Sequence, residues 1–336
     1  MKVRHFTKFL LGLVGVMVIA LGLSILTPTS AITSSYTVTD LGNLTVNAIN
    51  DAGQIVGSKG SKSHAILWDK GKITNLGTLG RRYSYAYDIN NKGQVVGEVK
   101  TKKGIQHAFL WQNGVMKGLG TLGGTESVAY GINNKGQVVG WANIKKPGTT
   151  SEETHAFLLN KGTMTDLGNG FAHNINNTGQ VVGSTYIDKK GTRAVLWEKG
   201  TMIELAAPPS SGYSIITEAQ DINNNGTVIG DLNGGKGHAL LWETGTVTDL
   251  GTLGGSTSSA YSINNKGQVV GEANTSVYVR AAFLWQNGVM KDLNTLIPAS
   301  SGWKLSYATD INNKGQIIGQ GSYNGQSRAF LLTPTE

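Results

Sequence analysis

Residues Ala86 to Gly97 read AYDINNKGQVVG, and the same pattern returns in altered form along most of the chain. The counterparts of Asn90 are Asn50, Asn133, Asn176, Asn223, Asn264 and Asn312, at steps of 40, 43, 43, 47, 41 and 48 residues. A unit of this size cannot bury its apolar faces alone, so seven copies describe a closed or stacked array. Within the stretch, Asn90-Asn91-Lys92-Gly93 separates two short apolar runs, Tyr87 to Ile89 and Gln94 to Val96. Asn and Gly tolerate positive φ, and an Asn side chain can bond its own backbone two residues on. Each copy is therefore expected to open with a β-hairpin.

Working outward through copy two, strands are expected at Ala86 to Ile89, Gln94 to Val96, His107 to Trp111 and Val115 to Leu119. A second tight turn falls at Gln112-Asn113-Gly114 and is echoed by Asp69-Lys70-Gly71, Asn160-Lys161-Gly162, Glu198-Lys199-Gly200 and Gln286-Asn287-Gly288. Four short antiparallel strands per unit make a propeller blade. The third strand carries consecutive apolar residues in every copy, as in Ile66-Leu67-Trp68, Phe109-Leu110-Trp111 and Val195-Leu196-Trp197. Such runs mean burial on both faces, as when each sheet lies between two neighbours.

The ends are complementary. Copy seven stops after its third strand, at Phe330-Leu331-Leu332-Thr333-Pro334, while Tyr36 to Gly42 matches a fourth strand such as Thr246 to Gly251 and has no first three before it. If the N-terminal strand completes the last blade, no sheet edge stays open at the join. The expectation is an all-β, seven-bladed propeller of four-stranded antiparallel blades. An open β-solenoid is the rival, but its coils are shorter and would not require matched ends.

The first residues give Lys2, Arg4 and Lys8, an uncharged apolar run from Phe9 to Leu26, then Pro28 and small residues to Ala31. That order is a secretory signal peptide, expected at residues 1–31 with the propeller domain at 32–336. Left uncut, the 18-residue apolar run could just span a bilayer, the one membrane contact expected. The chain has no cysteine, which excludes disulfides, thiol nucleophiles and cysteine metal sites. Without the leader, 26 basic side chains face 21 acidic ones, a balance too even to point to nucleic acid. A monomer is expected.

The combination of I-N-N-x-G-Q-V-V-G, the H-A-F-L-W of His107 to Trp111 and the D-L-G-T-L-G-G of Asp249 to Gly255 resembles the bacterial HAF-type extracellular repeat proteins. The resemblance covers nearly all of the chain after the leader. It implies an exported β-propeller-like repeat protein and supplies no catalytic residue. The literal H-A-F occurs only at His107 and His155; His64 and His238 stand in copies one and five, Arg193 and Arg328 in copies four and seven, and Ala281 in copy six.

These recurring histidines occupy one equivalent site in separate blades, and Arg, which cannot ligate a metal, replaces them twice. The expected role is structural, with Glu98 facing His107 and Asp231 facing His238 as cross-strand polar pairs. Asp88, Asp221 and Asp310 open D-x-N-x-x-G stretches that resemble a calcium loop, but Lys92 and Lys314 stand where a ligand is needed. An Asx-stabilised hairpin is the default, with no metal and no cofactor. Nucleophile-elbow, P-loop and H-E-x-x-H motifs are all missing, and Glu152-Glu153 sits in a loop.

Because strand direction alternates, the Asn-Asn-Lys-Gly and Gln-Asn-Gly turns share one face of the disc, and the two-three and four-one links share the other. The second face carries Lys102, Lys103, Lys145, Lys146, Lys189 and Lys190, and its enlarged four-one links carry Tyr213 and Trp303. Long loops with lysines and aromatics on a rigid ring are where binding is expected. The function expected is a non-catalytic binding or scaffold module outside the cell or at its envelope, holding an acidic polysaccharide or another envelope protein. The alternative is a secreted carbohydrate-active enzyme, a lyase or hydrolase, with its site at the propeller axis.

Overall fold

In the computed structural model, which describes residues 36–60, 63–208, 216–233, 237–276 and 279–335, each repeat folds into its own antiparallel sheet. The leader at residues 1–31 and Tyr213 lie outside the described residues. Copy two forms strands at Tyr83–Ile89, Val95–Lys100, Gln106–Gln112 and Val115–Gly118, placed where the turn residues and apolar runs require them. Seven such four-stranded sheets follow one another. In the last, Tyr36–Gly42 pairs with Gln326–Pro334, with Tyr36 opposite Pro334, Val38 opposite Leu332 and Asp40 opposite Phe330. The join is made between the two ends of one chain, so the array is a closed ring and not a solenoid.

The apolar core is divided among seven clusters, each filling the gap between two neighbouring blades. Phe109 packs back onto Val56 and Leu67 of the blade before it, while Ala108 and Leu110 pack forward onto Ala129 and Ile132. Alternate residues of one strand thus serve opposite neighbours, which is why the third strand is apolar throughout. The cluster that closes the ring joins Leu41, Ile318, Ala329 and Leu331 to Leu44, Val46, Ile55 and Ile66.

The asparagines of the hairpin bind blade to blade as well as shaping their own turn. Asn90 Oδ1 accepts from the backbone N–H of Lys92 at 3.0 Å and of Gln94 at 3.1 Å, which fixes the turn. Its Nδ2 donates to the Asn133 carbonyl of the next blade at 2.9 Å. The same bond recurs at every step and closes when Asn312 Nδ2 donates to the Asn50 carbonyl at 3.0 Å. A second ring runs beside it: Asn91 N–H donates to Asn134 Oδ1 at 2.8 Å, and so on until Asn313 N–H donates to Asp51 Oδ1 at 2.9 Å. Two turns of hydrogen bonds therefore encircle the axis on the asparagine face.

Candidate functional site: an axial cleft on the loop face

The inner strand of every blade carries an extra residue at the same place, and that of the closing blade a second one between Leu305 and Tyr307. In copy two Ala86 pairs with Gly97 and Asp88 with Val96, so Tyr87 between them has no partner on the second strand. The glycine opposite explains the bulge: a Cβ on Gly97 would overlap the Tyr85 carbonyl oxygen, so the last residue of Gln-Val-Val-Gly has to be Gly. A bulge re-aims a side chain, and here it turns the extra residue toward the axis. The same one-residue shift singles out Asn47, Tyr130, His173, Gln220, Tyr261 and Thr309 in the other six blades. All seven line one cleft of about 340 Å³, on the loop side of the asparagine rings.

The next residue inward varies from blade to blade and forms the floor. Asp88, Asp221 and Asp310 are the acids there, each with one oxygen on its own following N–H and the other on the next blade. Asp88 accepts from Ile89 and Ile132, each at 2.7 Å. Asp221 accepts from Ile222 at 2.7 Å, Ile263 at 2.8 Å and Asn174 Nδ2 at 2.6 Å. Asp310 accepts from Ile311 at 2.8 Å, Ile49 at 2.7 Å and Ser262 Oγ at 2.5 Å. Burial pushes Asp88 up to about 6 and Asp310 up to about 7, and raises Asp221. These carboxylates tie blade to blade. Their oxygens are taken up by backbone amides, by Asn174 Nδ2 and by Ser262 Oγ.

One wall is aromatic. The rings of Tyr87 and Tyr130 lie 5.5 Å apart, and those of Tyr130 and His173 6.0 Å apart in an edge arrangement. Tyr87 donates its hydroxyl to Glu98 Oε1 at 2.9 Å, and Glu98 is buried, with the Gln106 amide on its other oxygen. His173 Nδ1 lies 2.8 Å from the Ala219 carbonyl, which can only accept, so Nδ1 carries the proton and Nε2 keeps its lone pair. Burial lowers the His173 pKa, and the ring is neutral.

The opposite wall is acidic. Glu218 lines the cleft, and Glu272 lies in an adjoining pocket of about 390 Å³ with Arg280 and Tyr307 that shares Asn47, Tyr261 and Thr309. Asp231, which accepts from the Ala260 N–H at 2.9 Å, is pushed up to about 7 by burial and then by Glu218 and Glu272. Tyr261 is raised by burial and by the Glu272 carboxylate, to which it is hydrogen-bonded. Arg280 Nη1 stands 3.2 Å from Glu272 Oε1.

The residues expected to bind lie elsewhere. Lys102, Lys103, Lys145, Lys146, Lys189 and Lys190 are exposed on the two-three loops of three successive blades, and none lines the cleft. Lys146 pairs with Glu153 at 2.5 Å and Lys190 with Glu204 at 2.7 Å. Trp303 is half-buried against the closing blade, stacked on Tyr323 at 5.3 Å and edge-on to Phe330 at 6.1 Å. The expected cross-strand pairs are corrected as well. His107 stands opposite Val99, and Glu98 opposite Ala108, so the two side chains project to opposite faces. His238 binds Asp249 of the fourth strand at 2.7 Å, as His155 binds Asp166 at 2.9 Å, and not Asp231. What the sequence did carry, unread, was the contrast between two variable positions and the constant Ile-Asn that follows them in all seven copies.

No protein-family model matches the chain, and no curated protein matches it in sequence. Among solved structures it is similar to YCF48 bound to D1 peptide, at 10% identity and a TM-score of 0.54 over 92% of this chain and 100% of that one. It is similar also to the acylaminoacyl peptidase of Pyrococcus horikoshii, at 10% identity and a TM-score of 0.52 over 88% of this chain. The chain spans about half the length of that peptidase, 52%. At such identities the likeness is one of fold, and the fold is the seven-bladed β-propeller.

Proposed function

We propose that the protein is an exported, non-catalytic binding module of the HAF repeat type, and that its ligand enters the axial cleft of the loop face. One observation carries the reading: the same bulge, repeated in seven blades, aims seven polar or aromatic side chains of five kinds into a single cavity. A uniform scaffold with a non-uniform lining is what selective recognition needs, since specificity resides in side chains held on rigid elements. The basic start and apolar run before Ala31 support export. At about 340 Å³ the cleft is at the lower end for ligand pockets, enough for one sugar ring or one side chain. The floor carboxylates hold backbone amides across blades, a role at odds with the proton exchange that glycosidic chemistry demands.

An acidic polysaccharide suits the lysine loops but not this cleft, whose charged lining residues are carboxylates. The test is binding of capped dodecapeptide pools and of neutral and acidic oligosaccharides to the full chain, compared with Tyr130→Ala and Gln220→Ala variants. Ligands lost in the cleft variants and recovered chemically unchanged support the proposal. Binding that survives them but disappears on replacing Lys102, Lys103, Lys145 and Lys146 refutes it, and turnover of a bound oligosaccharide would restore the enzyme alternative.

A further inference from the structure

We infer that the axial cleft takes the cationic side chain of a basic peptide, with arginine fitting best; the inference rests on the cleft being the binding site. Hydrogen-bond direction is the first ground. Asn47 Nδ2 donates to the Ala86 carbonyl at 2.7 Å, Tyr87 to Glu98 at 2.9 Å, and Thr309 Oγ to the Ile318 carbonyl at 3.4 Å. His173 and Tyr261 likewise donate to protein acceptors, the Ala219 carbonyl and Glu272. Five donors of the lining are thus engaged with protein acceptors, and what they leave toward a ligand is lone pairs and ring faces. The hydroxyl of Tyr130, which accepts from Trp141 Nε1 at 3.3 Å, keeps its own proton, and the Gln220 amide and the second N–H of Asn47 remain as further donors. A lining in which acceptors outnumber free donors favours a ligand rich in donors.

Charge is the second ground. Glu218 lines the cleft with Asp88, Asp221 and Asp310, whose pKa values burial raises and which add negative charge only as far as they ionise; His173 there is neutral, and no Lys or Arg is among the described lining residues. Glu272 borders the adjoining pocket, where Arg280 already pairs with it. An incoming anion would meet these carboxylates in a partly desolvated site. A cation would be drawn to them and to the faces of the Tyr87 and Tyr130 rings, an attraction that strengthens when water is excluded. Guanidinium is planar, stacks on aromatic faces and offers five donors in a fixed fork, so it matches tyrosine faces and carboxylates together better than an ammonium does. The adjoining pocket gives the peptide backbone a place to run outward from the axis, over Tyr261 and Tyr307.

The test uses the full chain and a fluorescein-labelled pentapeptide with a central arginine among glycines. Its counterparts carry lysine or citrulline, the latter with the shape of arginine but no charge. The expected result is arginine tighter than lysine, with citrulline weaker than arginine by at least about tenfold. Glu218→Gln, which takes a like charge from beside Asp231 and so keeps the fold, should weaken the arginine peptide by a similar factor and leave citrulline unchanged. Equal binding of arginine and citrulline, or indifference to Glu218→Gln, overturns the cationic ligand. If Tyr130→Ala still abolishes binding in that case, the cleft stands as the site and only the ligand class falls. Failure of every peptide to bind also overturns the inference, and the oligosaccharide comparison then decides separately on the cleft.

Discussion

Replacing Asn133 with alanine removes one link of the inner asparagine ring and the turn it shapes. Four hydrogen bonds go with it: Nδ2 to the Asn176 carbonyl at 3.0 Å and to Gln137 Oε1 at 2.8 Å, and Oδ1 from the N–H groups of Lys135 and Gln137, each at 3.0 Å. The residue is only 4% exposed, so water cannot readily replace these partners. At about 1 kcal/mol net per bond the cost is about 3–4 kcal/mol. For a domain this large that lowers the melting temperature by roughly 5–12 °C. Asn134→Ala is the internal control, because its side chain accepts one inter-blade bond, from the Asn91 N–H at 2.8 Å, and it should cost about 1 kcal/mol. Asn133→Asp keeps the turn acceptors but sets a carboxylate against the Asn176 carbonyl, and should be as damaging as alanine near neutral pH. Urea unfolding followed by tryptophan fluorescence measures all three. If Asn133→Ala costs no more than Asn134→Ala, the inner ring does not hold the blades together and its hydrogen bonds are incidental to turn formation.

Three further predictions follow from the same geometry. The folded pKa values of Asp88, Asp310 and Asp231, about 6, about 7 and about 7, lie above the unfolded value of 3.8. The folded state therefore holds these protons more tightly, so their contribution is complete below the unfolded pKa and is lost as pH rises through the folded values. The urea midpoint should fall between about pH 4.5 and pH 8, and Asp310→Asn should flatten that slope; a midpoint that rises over the window contradicts the sign. Gly97→Ala forces a Cβ into the Tyr85 carbonyl and should destabilise by about 1–3 kcal/mol, more than Gly114→Ala, where positive φ is the only penalty; equal losses would mean the bulge does not depend on the glycine. Replacing Lys102, Lys103, Lys145 and Lys146 with glutamine should leave both the melting temperature and cleft binding unchanged, since all four side chains are exposed and outside the cleft; loss of binding, read by fluorescence anisotropy, would move the site to the lysine loops.

The loop lysines, the aromatic Trp303 and the recurring histidines stand apart from the axial cleft. Lysines on long loops catch the eye because loops on rigid scaffolds so often bind, yet Lys146 and Lys190 have acidic partners close at hand. Trp303 looked like an exposed aromatic and is part of the packing that seals the seventh blade. His238 and Asp231 look paired along the chain, but a strand's side chains alternate between faces, and a register offset of one sends them apart. The tyrosines at Tyr87, Tyr130 and Tyr261 passed as ordinary strand residues, since nothing local to them announces a bulge.

By itself the sequence determined the number of blades, the place of each hairpin, the apolar third strand and the head-to-tail closure of Tyr36 to Gly42 on Ala329 to Leu332. Those features depend on turn chemistry within each copy, on a unit of some forty residues that returns seven times, and on end segments that each supply what the other lacks. Only the tertiary structure decided what the axis contains. The asparagine rings bond residues 40 to 48 positions apart, and 262 apart where the circle closes. The cleft depends on a one-residue slip between paired strands, which turns seven side chains of five kinds inward. Neither is a property of a single repeat, because both arise only when seven of them face one another around a common centre.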